Sequence, residues 1–446
     1  MDTPICDFVR AYAESSALRL HMPGHKGAPI LGMEHLDITE ISGADSLYEA
    51  DGIIARSEHN ASRLFGCRTL YSTEGSSQCI RAMLQLAQLW AKGQGRSPLI
   101  AAGRNAHKTF LTAAGLLDLD IRWLYPANAA SYLSCSLSPE ELERFLVREK
   151  PAAVYLTSPD YLGNIADIRA LAEACHRNDA LLLVDNAHGA YLKFLPESRH
   201  PMDLGADLCC DSAHKTLPAL TGGAYLHLSA DMEAALGTQA KNALMIFGST
   251  SPSYLILQSL DAVNRYLEQL PRILLDFLPK VAALKERLLT LGYSLYGQEP
   301  LKITIEAKPF GYTGEKMAEL LRHGGIEPEF ADHDHLVLMP APAMGAAALE
   351  RLGQVLCQIP RRESIAEAAP VFAPARPVLS VREAMLSPSE LLPISDCVGR
   401  VLAVPTVGCP PAVPILGCGE QIDETAIECF RYYGIESCSV VRGGSR

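Results

Sequence analysis

Three short polar segments of this chain carry residue types that could do chemistry together. In the segment Asp211–Thr216, Lys215 follows an apolar run. A lysine held in a partly dry site has a depressed pKa and can attack a carbonyl to form a Schiff base. A lysine after a strand is more often simply solvated, so this segment needs support from the other two.

The second segment contains an aspartate, Asp185, at the end of the apolar run Leu181–Val184. A carboxylate that follows a buried strand is costly unless a cation or a metal meets it. An isolated aspartate at such a place more often caps the next helix. A buried cationic partner and a helix cap are therefore the two interpretations of Asp185.

The third segment, Thr73–Ser77, is a turn of small residues before a predicted helix. Gly75, Ser76 and Ser77 offer backbone N–H groups and two hydroxyls at the positive end of that helix, which suits a phosphate, although a plain N-cap is commoner. The order of phosphate cradle, carboxylate and lysine is that of Schiff-base pyridoxal enzymes. There the carboxylate keeps the pyridine nitrogen protonated, and the lysine holds the aldehyde.

The elements that position these segments alternate between strand and helix patterns from about residue 60 to residue 230. This alternation predicts βα units and a largely parallel sheet, with ligands beyond the carboxyl ends of its strands. The predicted helices are 76–90, 107–117, 139–148 and 168–177, the third opened by a capping box of Ser138 and Glu141. The predicted strands are 98–103, 121–125, 152–157, 180–184, 207–210 and 224–228.

The remaining patterns predict further domains. Helices at 253–270 and 272–291 precede a strand–helix–strand pattern at 301–306, 314–323 and 335–339, which indicates a small α/β domain. The segment 359–377 is rich in Pro and Ala, which is typical of a linker. We predict an N-terminal segment that contributes to the active site (1–60), a large cofactor-binding domain (61–265), a small α/β domain (266–358), a linker (359–377) and a C-terminal domain (378–446).

Composition limits the class of protein. The chain has 446 residues, 48% of them apolar, and a net charge of 39 − 51 = −12. The apolar content excludes a disordered chain, and the excess of acid excludes a basic nucleic-acid binder. Since there is no apolar run of about 20 residues and no export signal, we expect a cytoplasmic protein without membrane or nucleic-acid partners.

Cysteine and histidine spacing does not predict a metal. The 13 cysteines include no Cys-x-x-Cys pair, so we expect free thiols. His21 and His25 are four apart, but the intervening Pro23 and Gly24 break a helix and remove the shared face. We therefore expect a loop that lines a pocket there and no bound metal.

Five motifs make the chain resemble the ornithine/lysine/arginine decarboxylase family of fold-type I pyridoxal-phosphate enzymes over nearly its whole length. They are His21–Gly27, Arg104–Lys108, Asp185–Ala190, Ser212–Thr216 and Thr250–Tyr254. The resemblance implies an α/β fold of the aspartate-aminotransferase-like type: a large domain with a mainly parallel sheet, a small α/β domain and the family's C-terminal domain. We expect the family's shorter form, without the long N-terminal wing of the largest members.

The resemblance also implies residue roles and a reaction. Lys215 would form the Schiff base with pyridoxal 5'-phosphate, Asp185 would pair with its ring nitrogen, and His107 would stack on the ring. The other implied cofactor contacts are Gly75, Ser76, Ser77, His188, Ser212, His214 and, on a neighbouring subunit's cofactor, Ser251. The implied reaction is decarboxylation of lysine, arginine or ornithine to an amine of polyamine biosynthesis, with reprotonation by Lys215 or His214, in at least a homodimer.

The chain departs from the family pattern at two places. Asn186 replaces the usual glutamate of an Asp-Glu-Ala-His motif, and the segments 409–414 and 418–420 only partly match a Pro-rich loop and a Pro-Gly-Glu motif. Asp45 and Glu420 are candidates for recognition of a cationic substrate, against simple solvation at the surface.

Two other functions stay open at this point. One is a different pyridoxal-phosphate reaction, transamination or elimination, in which Arg322 or Arg351 would hold the substrate carboxylate. The other is a non-catalytic homologue, which Asn186 and the altered C-terminal loop favour. The intact lysine, aspartate and histidine of the motifs argue against it.

Overall fold

The computed structural model describes residues 1–125, 131–405 and 411–443 and has the predicted α/β fold. The chain folds into two compact units, Met1–Ser97 with Ile168–Leu274 and Pro98–Asp167 with Leu275–Arg446. The domain boundaries from the sequence stay predictions. Within the described ranges, no helix has both the length and the apolar character needed to cross a membrane.

The α-helices and β-strands are named here in chain order. The helices are α1 (Pro4–Glu14), α2 (Ile53–Phe65), α3 (Gly75–Gly93), α4 (Lys108–Leu117), α5 (Pro139–Glu149), α6 (Ile168–Arg177), α7 (Ala213–Thr216), α8 (Ala230–Met245), α9 (Tyr254–Leu267), α10 (Leu270–Thr290), α11 (Gly314–His323), α12 (Gly345–Gln358), α13 (Val381–Leu386) and α14 (Glu424–Tyr432). The strands are β1 (Arg68–Ser72), β2 (Ile100–Gly103), β3 (Ile121–Leu124), β4 (Ala153–Thr157), β5 (Leu181–Asp185), β6 (Leu208–Asp211), β7 (Ala224–Leu228), β8 (Ser294–Tyr296), β9 (Ile303–Glu306), β10 (Phe330–Ala331), β11 (His335–Leu338), β12 (Ser389–Pro393) and β13 (Ser437–Val441).

The largest sheet has seven strands in the order β1-β7-β6-β5-β4-β2-β3. The pairs β5–β6, β2–β3 and β2–β4 are parallel, whereas β7 runs antiparallel to both β1 and β6. The sheet is therefore mainly parallel, as predicted. Two smaller sheets have the orders β10-β11-β9-β8 and β12-β13.

Predicted and observed elements agree where the apolar pattern is strong. The bounds of α6, α11 and β7 are those predicted, and the capping box of α5 is present, with Ser138 Oγ accepting from the Glu141 N–H at 3.2 Å. The sequence pattern does not predict the strand β1 or the helices α8 and α12. In α8 the buried positions include two alanines, Ala240 and Ala243, so the helix shows no wide stripe of large apolar residues.

A buried ion pair anchors the C-terminal part of the second unit. Arg104, directly after β2, donates to the carbonyl oxygens of Pro414 and Ile415 at 3.0 and 2.7 Å and to Glu420 Oε2 at 3.2 Å. Its guanidinium lies 5.0 Å from the ring centroid of Trp123. Glu420 Oε2 also accepts from the Gly417 N–H at 2.6 Å, so these contacts favour a structural role for Glu420 over substrate recognition.

We expect Glu420→Ala to destabilise the protein by about 3–5 kcal/mol, because the Arg104 guanidinium would stay buried without its counter-ion. Urea denaturation followed by circular dichroism measures the change. The matched control is Glu350→Ala in the exposed pair with Arg287, whose closest N–O distance is 3.6 Å. An equal effect of both substitutions would contradict the role of burial.

Candidate active site

The first unit brings Lys215 and His188 together. Lys215 is half-buried in α7, the single turn that follows β6, and its Nζ lies 3.1 Å from His188 Nε2. His188 is only 4% exposed. The pairing places a ring nitrogen at the amine that the sequence singles out as a nucleophile, and such a contact can hold the amine in position or exchange a proton with it.

Asp185 is the last residue of β5 and is almost fully buried. Its Oδ1 accepts from the Ala187 N–H at 3.2 Å and from the Cys210 thiol at 3.6 Å. Burial raises the pKa of Cys210 well above its ordinary value, which keeps the thiol protonated as a donor. The next helical segment, a 3-10 helix, has Gly189 as its N-cap, so Asp185 does not cap a helix.

The turn at the start of α3 lies beside Ser212 and His214. Ser212 Oγ donates to Ser76 Oγ at 2.8 Å, and a Cβ at Gly75 would lie 4.0 Å from His214 Cε1. Gly75 has a φ of +70°, which favours glycine. The N-cap residue Glu74 makes no side-chain bond to the N–H groups of α3, so the turn is not a conventional side-chain cap. A phosphate could accept from such groups.

His214 has a fixed orientation. Its Nδ1 lies 3.0 Å from the carbonyl oxygen of Gly223, which can only accept, so Nδ1 carries the proton of this bond. In the neutral ring Nε2 is then an acceptor. The sequence predicts His214 near the lysine but not this tautomer, which depends on a carbonyl nine residues further along the chain.

The last residue of β6 is a fully buried carboxylate, Asp211. Asn186 Nδ2 donates to its Oδ1 at 2.6 Å, and His200 Nε2 and His227 Nε2 donate to its Oδ2 at 3.0 and 3.1 Å. Burial alone would raise the pKa of Asp211, but the two histidines outweigh it and hold this pKa well below its usual value. Burial also lowers the pKa of His227, but the Asp211 carboxylate outweighs it and raises this pKa.

Sequence reasoning misses this buried network. Asn186 lies inside one of the sequence motifs and Asp211 directly precedes another, but the sequence does not indicate that the two side chains are in contact. His200 and His227 are 11 and 16 residues from Asp211 along the chain. Nothing in their spacing indicates that both rings meet one carboxylate.

Several other candidates have separate surroundings. Asp45 accepts from the N–H groups of Gly52 and Ile54 at 2.9 and 3.0 Å, where α2 begins, which favours a structural role over substrate recognition. Arg322 and Arg351 are both exposed and donate within the second unit, to Glu327 and to the Gly324 carbonyl. These contacts do not support a substrate-carboxylate role for either arginine.

The histidines of the N-terminal motif have separate partners. His21 Nε2 lies 2.6 Å from Tyr12 Oη, and His25 Nε2 lies 3.2 Å from Asp37 Oδ2. The two histidines therefore form hydrogen bonds with different residues.

Two predicted cofactor contacts stay predictions. His107, in the second unit, is the N-cap of α4, and its Nδ1 accepts from the Thr109 N–H at 3.1 Å. Ser251 is exposed in the first unit. Of the altered Pro-rich loop, positions 409 and 410 lie outside the described residues.

The described residues of the first unit fit pyridoxal phosphate. The cofactor has an aldehyde, a basic ring nitrogen and a phosphate. Lys215 offers an amine, Asp185 a buried carboxylate, and the α3 terminus offers N–H groups with the Ser76 hydroxyl. All of these belong to one compact unit.

Comparison with known proteins gives consistent matches. The model of a family described as Orn/Lys/Arg decarboxylase, major domain, matches residues 3–291. Arginine decarboxylases of Halalkalibacterium halodurans and Bacillus subtilis are 28% and 27% identical to this chain, covering 96% of it and 93% and 92% of their own lengths. A lysine decarboxylase structure from Francisella novicida has a TM-score of 0.82 at 17% identity, covering 98% of this chain and 81% of its own, which shows a shared fold.

The buried network predicts acid sensitivity. A carboxylate whose folded pKa is depressed stabilises the protein above its unfolded pKa of about 3.9, and this stabilisation is lost as the pH falls towards the folded pKa. We expect Asp211→Asn to lower Tm near pH 7. The difference in Tm between the variant and the wild-type protein should become smaller below about pH 4. Scanning calorimetry from pH 3 to pH 7 measures both curves. A difference in Tm that does not depend on pH would show that the charge of Asp211 does not contribute to stability.

Proposed function

Because the chain belongs to the Orn/Lys/Arg decarboxylase family and is an amino-acid decarboxylase, we propose that it decarboxylates a basic amino acid with pyridoxal phosphate held by Lys215. The observation that carries this proposal is the grouping of Lys215, His188, Asp185 and Ser76 in one unit. Family membership favours this reaction over transamination and over a non-catalytic role.

The site residues would divide the work between binding and proton transfer. When bound, the cofactor supplies an electron sink for the electron pair that is left as CO₂ departs. Lys215 Nζ would hold the cofactor aldehyde covalently until substrate replaces it. The Asp185 carboxylate would keep the proton on the ring nitrogen, and the α3 terminus with Ser76, Ser77 and Ser212 would bind the phosphate.

The proton that replaces the carboxylate on the substrate would come from the lysine or from a neighbouring histidine. After the carboxylate leaves, the α-carbon of the substrate needs one proton, which Lys215 Nζ or His214 would donate. His188 Nε2, at 3.1 Å from Lys215 Nζ, would position that amine and accept a proton from it. The Gly223 carbonyl holds the His214 ring in one orientation.

Arginine is the first substrate to test. The full-length relatives from Halalkalibacterium halodurans and Bacillus subtilis are named arginine decarboxylase, which supports arginine over lysine and ornithine here. The net charge of −12 favours approach of a cationic substrate by long-range attraction. The amine product would then be used in polyamine biosynthesis, in the cytoplasm.

We also propose a homodimer. Leu18, Leu20, Ile30 and Leu31 are each about four-fifths exposed within the N-terminal segment (81%, 83%, 79% and 82%). Exposed apolar side chains at this density are typical of an interaction surface. A second copy of the chain would cover them and bring the exposed Ser251 of one copy towards the other.

The enzymatic prediction concerns CO₂ release. We expect cofactor-saturated protein to release CO₂ from arginine faster than from lysine or ornithine, and Lys215→Ala to lower the rate by at least about 10²-fold, because the amine that holds the cofactor and moves the proton is gone. Lys316→Ala, an exposed lysine, is the matched control. No CO₂ from any of the three amino acids would overturn the proposal, and keto-acid formation would indicate transamination.

The covalent attachment has its own measurement. Borohydride treatment of the cofactor-saturated protein followed by peptide mapping should leave the label on Lys215. A label on another lysine, or on none, would contradict the assigned attachment site even if CO₂ is released.

The homodimer prediction is tested by light scattering after gel filtration. We expect twice the chain mass of 48.3 kDa for the wild-type protein and a shift towards the monomer for Leu20→Asp with Leu31→Asp. Each new charge would be desolvated in the interface, which disfavours association. A wild-type monomer, or a double variant that dimerises equally well, would contradict the proposed surface.

A further inference from the structure

The amide of Asn186 faces a carboxylate where the family pattern has a second acid. Asn186 directly follows Asp185, and its Nδ2 donates to Asp211 Oδ1 at 2.6 Å. Asp211 directly precedes Ser212, and Lys215 lies four residues after Asp211. The bond therefore links the two segments that carry the carboxylate and the amine of the proposed site.

The direction of this hydrogen bond is fixed by chemistry. All four side chains of the network, Asn186, His200, Asp211 and His227, are fully buried, so the charge on Asp211 depends on these N–H groups and on the Cys209 thiol, whose Sγ lies 3.9 Å from Asp211 Oδ1. An ionised carboxylate can only accept, which requires the Asn186 amide to point its NH₂ group towards it. As a result, Asn186 Oδ1 is buried and has no hydrogen-bond partner among the residues that the structure describes.

A carboxylate at position 186 would not be tolerated beside Asp211. Two carboxylate oxygens at hydrogen-bond distance cannot both ionise in a buried site. The surroundings are also tight, since a Cβ at Gly189 would lie 2.0 Å from Asn186 Oδ1. Position 186 therefore needs a short side chain that donates.

Metal binding is a weaker explanation of the same residues. Donor atoms of His200, Cys209 and Asp211 lie within 4.8 Å of one another. His200 Nδ1 accepts from the Met202 N–H at 3.4 Å, so in the neutral ring Nε2 carries the proton and donates to Asp211. The contacts of this ring are those of a hydrogen-bond network and not of a metal ligand.

We propose that Asn186 and Asp211 are a matched pair of positioning residues, whose hydrogen bond fixes Asp185 relative to Ser212 and Lys215. This inference rests on the proposed function, because it concerns how the cofactor-binding groups are held. It also accounts for the departure of this chain from the Asp-Glu-Ala-His pattern: the amide at position 186 is required by the acid at position 211.

The test is an isosteric exchange of donor and acceptor. The variants are Asn186→Asp, Asp211→Asn and the two combined, with Asn242→Asp as a control that adds the same charge at an exposed site. Asn186→Asp places two carboxylates together, whereas the combined variant restores one donor and one acceptor. In the combined variant the amide oxygen at position 211 can still accept from His200 or His227.

We expect Asn186→Asp to lower Tm and to weaken cofactor binding at least tenfold, measured from the visible absorption band during titration with pyridoxal phosphate. On a logarithmic scale of Kd, the combined variant should recover at least half of the cofactor affinity that Asn186→Asp loses. It should also recover most of the loss in Tm. This recovery measures the coupling of the two residues. Asn242→Asp should behave as the wild-type protein.

Two outcomes would overturn the inference. One is a combined variant at least as impaired as the sum of the two single variants. The other is recovery of Tm without recovery of cofactor affinity, which would leave a structural pair with no positioning role. Failure of the proposed function is distinguishable, since a wild-type protein that binds no cofactor would still give the Tm coupling of the pair while excluding its role towards a cofactor.

Discussion

The cost of burying one negative charge organises the centre of the first unit. Asp211 is fully buried, and the N–H groups of Asn186, His200 and His227 converge on its carboxylate and stabilise the charge. These donors come from three separate parts of the chain, so the charge ties them together. The same requirement holds β5, which ends at Asp185, and β6, which leads into the turn that carries Lys215.

Sequence patterns predict the framework of this protein because its strands are short apolar runs and its motif residues follow them. The patterns place Asp185 directly after one apolar run and Lys215 shortly after the next. In the structure Asp185 is the last residue of β5, and Lys215 lies in α7, the turn that follows β6. Partners distant in sequence could not be predicted. The contact of His188 with Lys215 joins residues 27 apart, and it depends on the register of β5 and β6, which no local pattern specifies.

The sequence also does not show which carboxylates are buried or what they contact. On sequence grounds, Glu420 and Asp45 could either recognise a cationic substrate or simply be solvated at the surface. In the structure, Glu420 meets the buried Arg104, and Asp45 meets backbone N–H groups where α2 begins. A sequence shows that a carboxylate is present, but its burial and its partner are set by tertiary packing.

The ion pair between Arg104 and Glu420 constrains the order in which the second unit can fold during synthesis. Arg104 leaves the ribosome 316 residues ahead of its counter-ion. Until Glu420 and the carbonyl groups near residue 415 are available, the guanidinium must remain hydrated, and the end of β2 cannot reach its final packing. The nascent second unit therefore stays incomplete until residue 420 has been translated, and during this period chaperones have access to it.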